Sequence, residues 1–189
     1  MDTHDRSSRR REWIVKALFE SGLIVLGLIG ALALNDWHDR RQRDENVRSA
    51  LASIRIEVQT NLESITSVIA FYEKLMGTLT ESAKTGNPYM DTLVPRLNLS
   101  TTAWDATRDA GISSDIPFPT LMALGRGYTA QAGFVREIES FLNQAYTGNV
   151  TVDLRKNPIG LRGILSDYTH HARDLKQNYE NALAALPAN

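Results

Sequence analysis

One apolar run near the start of the chain constrains the fold more than any other feature. Residues 17–34 are mostly apolar, and Glu20 is their one charged residue. A helix rises about 1.5 Å per residue, so the run covers about 27 Å, close to the hydrocarbon thickness of a bilayer. The tryptophans on either side, Trp13 and Trp37, are of a residue type that favours membrane interfaces. The run therefore predicts one transmembrane helix over 17–34, preceded by a basic segment over 1–16.

Two other interpretations of the run remain open. A buried helix of a water-soluble protein would also be apolar, but the flanking tryptophans and basic residues would then be coincidental. A cleavable signal peptide has a basic start, an apolar middle and a small-x-small site such as Ala31-Leu32-Ala33. Glu20 interrupts the apolar region, and no turn signal follows it, so we favour a retained anchor.

Basic residues on the two sides of the run set its expected orientation. Residues 1–16 hold five Lys and Arg residues, whereas residues 35–50 hold four. With a short N-terminal segment, this excess favours a cytoplasmic N-terminus and a periplasmic C-terminal domain. The net charge of −1 and the lack of aromatic residues among the arginines argue against a nucleic-acid partner.

One face of the predicted transmembrane helix has an unusual composition. Glu20, Ile24, Gly27 and Ala31 share this face, and Gly27-x-x-x-Ala31 is a pair of small residues that lets another helix approach closely. Lys16, a further interface residue, lies four positions before Glu20 and could pair with it near the membrane surface. The face therefore predicts either contact with a partner helix or a snorkelling ion pair, and we favour the partner.

Residues 35–189 carry the pattern of a helical domain. An apolar stripe at helical spacing begins at Val47 and ends at Leu79, and Gly86-Asn87-Pro88 is expected to stop that helix. No glycine or proline separates the stripe from the apolar run, which predicts one nearly continuous helix. The members of the stripe are Val47, Leu51, Ile54, Val58, Leu62, Ile65, Ile69, Tyr72, Met76 and Leu79.

Three further helices are expected downstream. A short one carries Trp104 and has Gly111 as its C-terminal glycine, a long one covers about 120–146, and another long one opens at Asn157-Pro158. The stripe of the last helix consists of Leu161, Ile164 or Leu165, Tyr168, Ala172, Leu175, Tyr179, Ala182 and Leu186. The predicted fold is all-α, with an antiparallel bundle of three long helices plus a short one.

No residue pattern in the chain forms a convincing catalytic or metal site. The chain lacks cysteine, and His170 and His171 are adjacent, so they point about 100° apart on a helix and are expected to be partly exposed. Glu57 and Glu63 are expected to be solvated residues beside the long stripe. We therefore predict no catalytic residue, no cofactor and no metal.

Trp104, Arg126 and Tyr128 are the candidates for a pocket. Such a pocket would favour an alternative function, an extracytoplasmic ligand-sensing bundle that passes a signal through the span. The simpler expectation is that Trp104 anchors its short helix to the bundle while Asp105 and Asp109 face water.

The segment from Glu20 to Trp37, which ends in Leu-Asn-Asp-Trp, resembles an uncharacterised group of small bacterial membrane-anchored proteins with one N-terminal span and a helical domain. The segment from Thr102 to Ala106 and Tyr128 are also similar to positions in that group. The resemblance implies a Gram-negative inner-membrane setting and a shared anchor pattern that includes Glu20 and Trp37. It implies no activity.

Taken together, these features predict a non-enzymatic, single-pass protein of the bacterial inner membrane. It would act as an accessory or scaffolding subunit of a larger membrane complex. Its expected partners are the lipid bilayer and either another membrane protein or a second copy of itself.

Overall fold

The computed structural model describes residues 5–86, 95–146 and 157–187, with side chains described for these ranges except 5–18, 145–146 and 158. The described residues form four α-helices and one short 3-10 turn, and the all-α prediction is confirmed. The elements are α1, Asp5–Thr85; α2, Thr102–Asp109; the 3-10 turn, Ile112–Asp115; α3, Phe118–Tyr146; and α4, Pro158–Ala185.

Helix ends follow from local sequence. α1 ends at Thr85, and Gly86 takes a left-handed φ of 69°, as the predicted glycine stop requires. Gly111, with φ of 72°, has the same role after α2. Asn157 begins α4, because its side-chain oxygen accepts the Gly160 N–H at 3.0 Å.

The chain divides into two units, Met1–Asn46 and Val47–Asn189. The described part of the first unit is helical throughout and belongs to α1. No turn interrupts α1, which confirms that the apolar run and the later stripe form one continuous helix. Among the described residues, one helix, the part of α1 over Phe19–Thr85, is long and apolar enough to cross a membrane, by length and composition.

The second unit is a bundle of α3, α4 and the C-terminal half of α1. The buried side chains are those of the predicted stripes: Ile54, Val58, Ile65, Tyr72 and Leu79 on α1, and Leu161, Leu165, Ala172, Leu175, Tyr179 and Ala182 on α4. Leu124, Phe134, Ile138 and Phe141 supply the corresponding face of α3. The 3.6-residue period of apolar residues thus accounts for the core.

Contacts between distant residues give the helix directions. The Thr120 hydroxyl at the start of α3 donates to the Ala185 carbonyl at the end of α4, so these two helices are antiparallel. The Arg55 side chain on α1 likewise donates to the Pro187 carbonyl just beyond α4. α4 is therefore antiparallel to both α1 and α3, and these two share one direction. α1 and α3 can run in the same direction because the described residues between these two helices run back along α1.

Candidate functional site

The apolar stretch of α1 presents its side chains to the surroundings on every side. Its large apolar side chains are between 53% (Val25) and 73% (Phe19) exposed, and its most apolar window has no buried residue. Each such side chain gains about 1.5–3 kcal/mol when it is removed from water. An apolar surface of this extent is typical of a segment covered by lipid or by a partner.

The predicted packing face lies open within this stretch. Glu20, Ile24, Gly27 and Ala31 are all exposed, and a Cβ atom added at Gly27 would meet nothing within 4 Å. The space over Gly27 is therefore free for another helix.

Of the predicted interface residues, one has a described side chain. Trp37 is 57% exposed, and the Arg41 guanidinium lies 5.7 Å from the centroid of its ring. Tryptophan and arginine together suit the polar boundary of a membrane. The side chains of Trp13 and Lys16 lie outside the described residues.

A concentrated polar site among the described residues of the second unit is centred on Glu57. Its Oε2 accepts hydrogen bonds from the Ser100 hydroxyl at 2.6 Å and the Ala103 N–H at 2.9 Å. Its Oε1 accepts from the Tyr128 hydroxyl at 2.6 Å and the Trp104 N–H at 3.3 Å. The residue is 8% exposed, so the expectation that Glu57 is a solvated flank is wrong, whereas Glu63 is exposed as expected.

Glu57 caps α2 from another helix. Thr101 occupies the N-cap position but its side chain makes no capping hydrogen bond. The Ala103 and Trp104 N–H groups, which the first turn of a helix leaves free, point instead at the Glu57 carboxylate. A negative charge is also favourable at this end of the helix dipole. The role of the cap side chain is thus taken by a residue more than forty positions earlier.

The environment of Glu57 favours its charged form. Burial alone would raise the pKa of this carboxyl, but the hydrogen bonds from Ser100, Tyr128, Ala103 and Trp104 outweigh it, and the pKa falls below the ordinary value of 4.5. Burial, followed by the bond to Glu57, raises the pKa of Tyr128, which therefore stays protonated and remains a donor.

A buried amide network continues from this site across the bundle. Asn61 is fully buried; its Nδ2 donates to the Ser100 carbonyl at 2.8 Å and to Gln131 Oε1 at 3.2 Å, and its Oδ1 accepts from the Ser100 N–H at 2.9 Å. Gln131 Oε1 also accepts from the Tyr179 hydroxyl at 2.7 Å. Among the described residues, no buried side-chain nitrogen or oxygen lacks a partner. This network joins α1, α3 and α4 and fixes residue 100 against them.

Of the three residues predicted to line a pocket, two are buried and one is exposed. The rings of Trp104 and Tyr128 stack 5.1 Å apart and nearly parallel at 7°, and both side chains are buried. Arg126 is exposed. Each ring fills the space over the other, so Trp104 anchors α2 to α3, as the simpler expectation stated. Asp105 and Asp109 are exposed, also as expected.

A separate groove of about 420 Å³ lies between α1 and α4. Two ion pairs border it: Glu73 with Arg173 at 2.7 Å, and Lys176 with Glu180 at 2.9 Å. Each of these four side chains is already paired with an opposite charge. None of them is therefore an unpaired charge that could bind a ligand in the groove.

His170 and His171 are exposed and each contacts an acid, Asp174 at 3.5 Å and Glu137 at 2.7 Å respectively. Within the described ranges, no group of three His, Asp or Glu side chains could hold a metal ion.

Comparison with known proteins gave no matching family model, no similar curated protein and no similar solved structure.

Proposed function

We propose that this chain is a non-enzymatic, single-pass protein of the bacterial inner membrane that serves as an accessory or scaffolding subunit of a larger membrane complex. In this proposal the N-terminus is cytoplasmic and the bundle is periplasmic. The observation that carries it is the apolar stretch of α1, whose side chains are exposed on every face.

Lipid alone would be a poor environment for one of those faces. Glu20 places a carboxylate beside the apolar run, and a carboxylate is costly in hydrocarbon. Gly27 and Ala31 on the same face leave a shallow strip that larger lipid-facing residues would not. A second helix seated there would bury Glu20 and gain close backbone contact. The partner is either another membrane protein or a second copy of this chain.

The polar groups of the bundle support a binding role over a catalytic one. Glu57, Asn61 and Gln131 all use their hydrogen-bonding capacity to join helices and to hold residue 100. Their carboxylate and amide groups are therefore engaged in structure.

The experiment is affinity purification from native membranes in mild detergent, with mass spectrometry and measurement of the molecular mass. Gly27→Leu fills the proposed packing face. Gly22→Leu is the matched control, because Gly22 is also open and lies about 140° away around the helix. We expect the partner or the oligomer to be lost with Gly27→Leu and kept with Gly22→Leu. A monodisperse monomer without a partner, or equal behaviour of the two variants, would refute the proposal.

A further inference from the structure

Residues 98–104 run back along α1 and are held there by side chains of successive α1 turns. The Ser64 hydroxyl accepts the Asn98 N–H at 3.4 Å, Asn61 binds both backbone groups of Ser100, and Glu57 accepts the N–H groups at the start of α2. Glu57 differs from Ser64 and Asn61 because it binds the segment through a charged carboxylate.

We propose that Glu57 is a latch. Its carboxylate closes residues 101–109 onto the bundle, and loss of its charge releases this segment while Ser100 stays bound to Asn61 and α1, α3 and α4 remain packed. Release uncovers the stacked faces of Trp104 and Tyr128, so the charge of Glu57 controls access to this side of the bundle.

The first turn of α2 depends on Glu57 for its cap, and the cap matters because α2 is short. A helix of eight residues is not stable in water by itself. Its second and third N–H groups have Glu57 as their acceptor, and Thr101 supplies no substitute. A neutral amide at position 57 would present an NH₂ group to two of the four donors. One of those two donors is a backbone N–H, of Ala103 or of Trp104, and it would then be left without an acceptor.

The remaining helices do not need the latch. Tyr179 bonds to Gln131, and Phe141 packs edge-on against Tyr168 with ring centroids 5.5 Å apart. Leu165 and the other apolar residues of α4 are buried along its length. These contacts join α3 to α4, and the rings of Tyr72 and Tyr168, 6.3 Å apart, join α1 to α4, all without any atom of Glu57.

Of the groups around Glu57, its own carboxylate is the charged group that controls the latch. Tyr128 on α3 and Tyr179 on α4 both have pKa values raised by burial and stay neutral in acid. Asp105 on α2 is exposed and its charge also acts on Tyr128. No Lys or Arg of the described ranges forms an ion pair with Glu57. Because its pKa lies below 4.5, the latch is closed at neutral pH and opens as the pH falls through that lowered value.

Hydrogen exchange of the full-length protein in detergent, read by mass spectrometry, tests the proposal. Glu57→Gln at neutral pH should speed exchange in residues 101–109 by roughly 10- to 100-fold, while peptides of α3 and α4 keep their protection. Glu63→Gln, an exposed change on the same helix as Glu57, is the control and should leave the segment protected.

Acid treatment of the wild type supplies the second measurement. As the pH is lowered in steps below 4.5, and after correction for intrinsic exchange, residues 101–109 should open in the wild type before α3 and α4 lose protection. In Glu57→Gln the segment should be open at neutral pH and in acid. If Glu57→Gln or acid speeds exchange equally throughout the bundle, or nowhere, the latch does not exist.

Discussion

Asn61→Ala should lower the free energy of unfolding of the bundle by about 3 kcal/mol. The change removes three hydrogen bonds, two to Ser100 and one to Gln131, each worth about 0.5–1.5 kcal/mol net. It also leaves the Ser100 N–H without its acceptor. Gln131 still bonds to Ser100 and Tyr179, so the network is weakened rather than dissolved.

The assay is urea unfolding of the full chain in detergent, followed by far-UV circular dichroism. Asn181→Ala is the matched control, because Asn181 is exposed and accepts one surface hydrogen bond, from Gln177. The control should change stability by less than about 0.5 kcal/mol. A double-mutant cycle with Gln131→Ala should give a non-additive result, since the two amides are joined directly. If Asn61→Ala matches the control, or the cycle is additive, the buried network does not hold the bundle.

Three further changes test other parts of the structure. Tyr128→Phe removes one donor to Glu57 and raises the pKa of its carboxyl; it should lower stability by about 1–2 kcal/mol at neutral pH, and urea unfolding should show less stability lost below pH 4.5 than in the wild type. Gly133→Ala, at an exposed helical position with open space for a Cβ atom, should raise stability by about 0.5–1 kcal/mol in the same assay. Leu26→Arg, near the middle of the apolar stretch, should cost about 2.5–3.5 kcal/mol of membrane insertion and reduce the carbonate-resistant membrane fraction, whereas Leu26→Val should not.

Much of the fold can be predicted from local sequence. The wrong prediction that Glu57 is solvated shows the limit of such reasoning. The stripe through Ile54 and Val58 gave the buried face of α1, and the glycine after Thr85 gave its end. Glu57 and Glu63 are the same residue type on the same helix, so residue type alone does not distinguish them. Helical geometry separates them, because Glu57 lies about 90° from the centre of the stripe, at its edge, and Glu63 lies about 150° away. That angle was the signal for a buried carboxylate.

The partners of Glu57 could not be predicted in the same way. Its donors belong to residues 100, 103, 104 and 128, and no periodic pattern links them to position 57. The stacking of Trp104 on Tyr128 likewise depends on how α2 meets α3.

The sequence by itself determined the apolar stretch, the helices and most of their buried faces, since these depend on composition and on a repeat of 3.6 residues. The tertiary structure alone decided that α1 and α3 run in the same direction, and that a carboxylate of α1 caps α2. Both outcomes depend on the path of the chain between helices, where residues far apart in sequence meet and must satisfy each other's hydrogen bonds away from water.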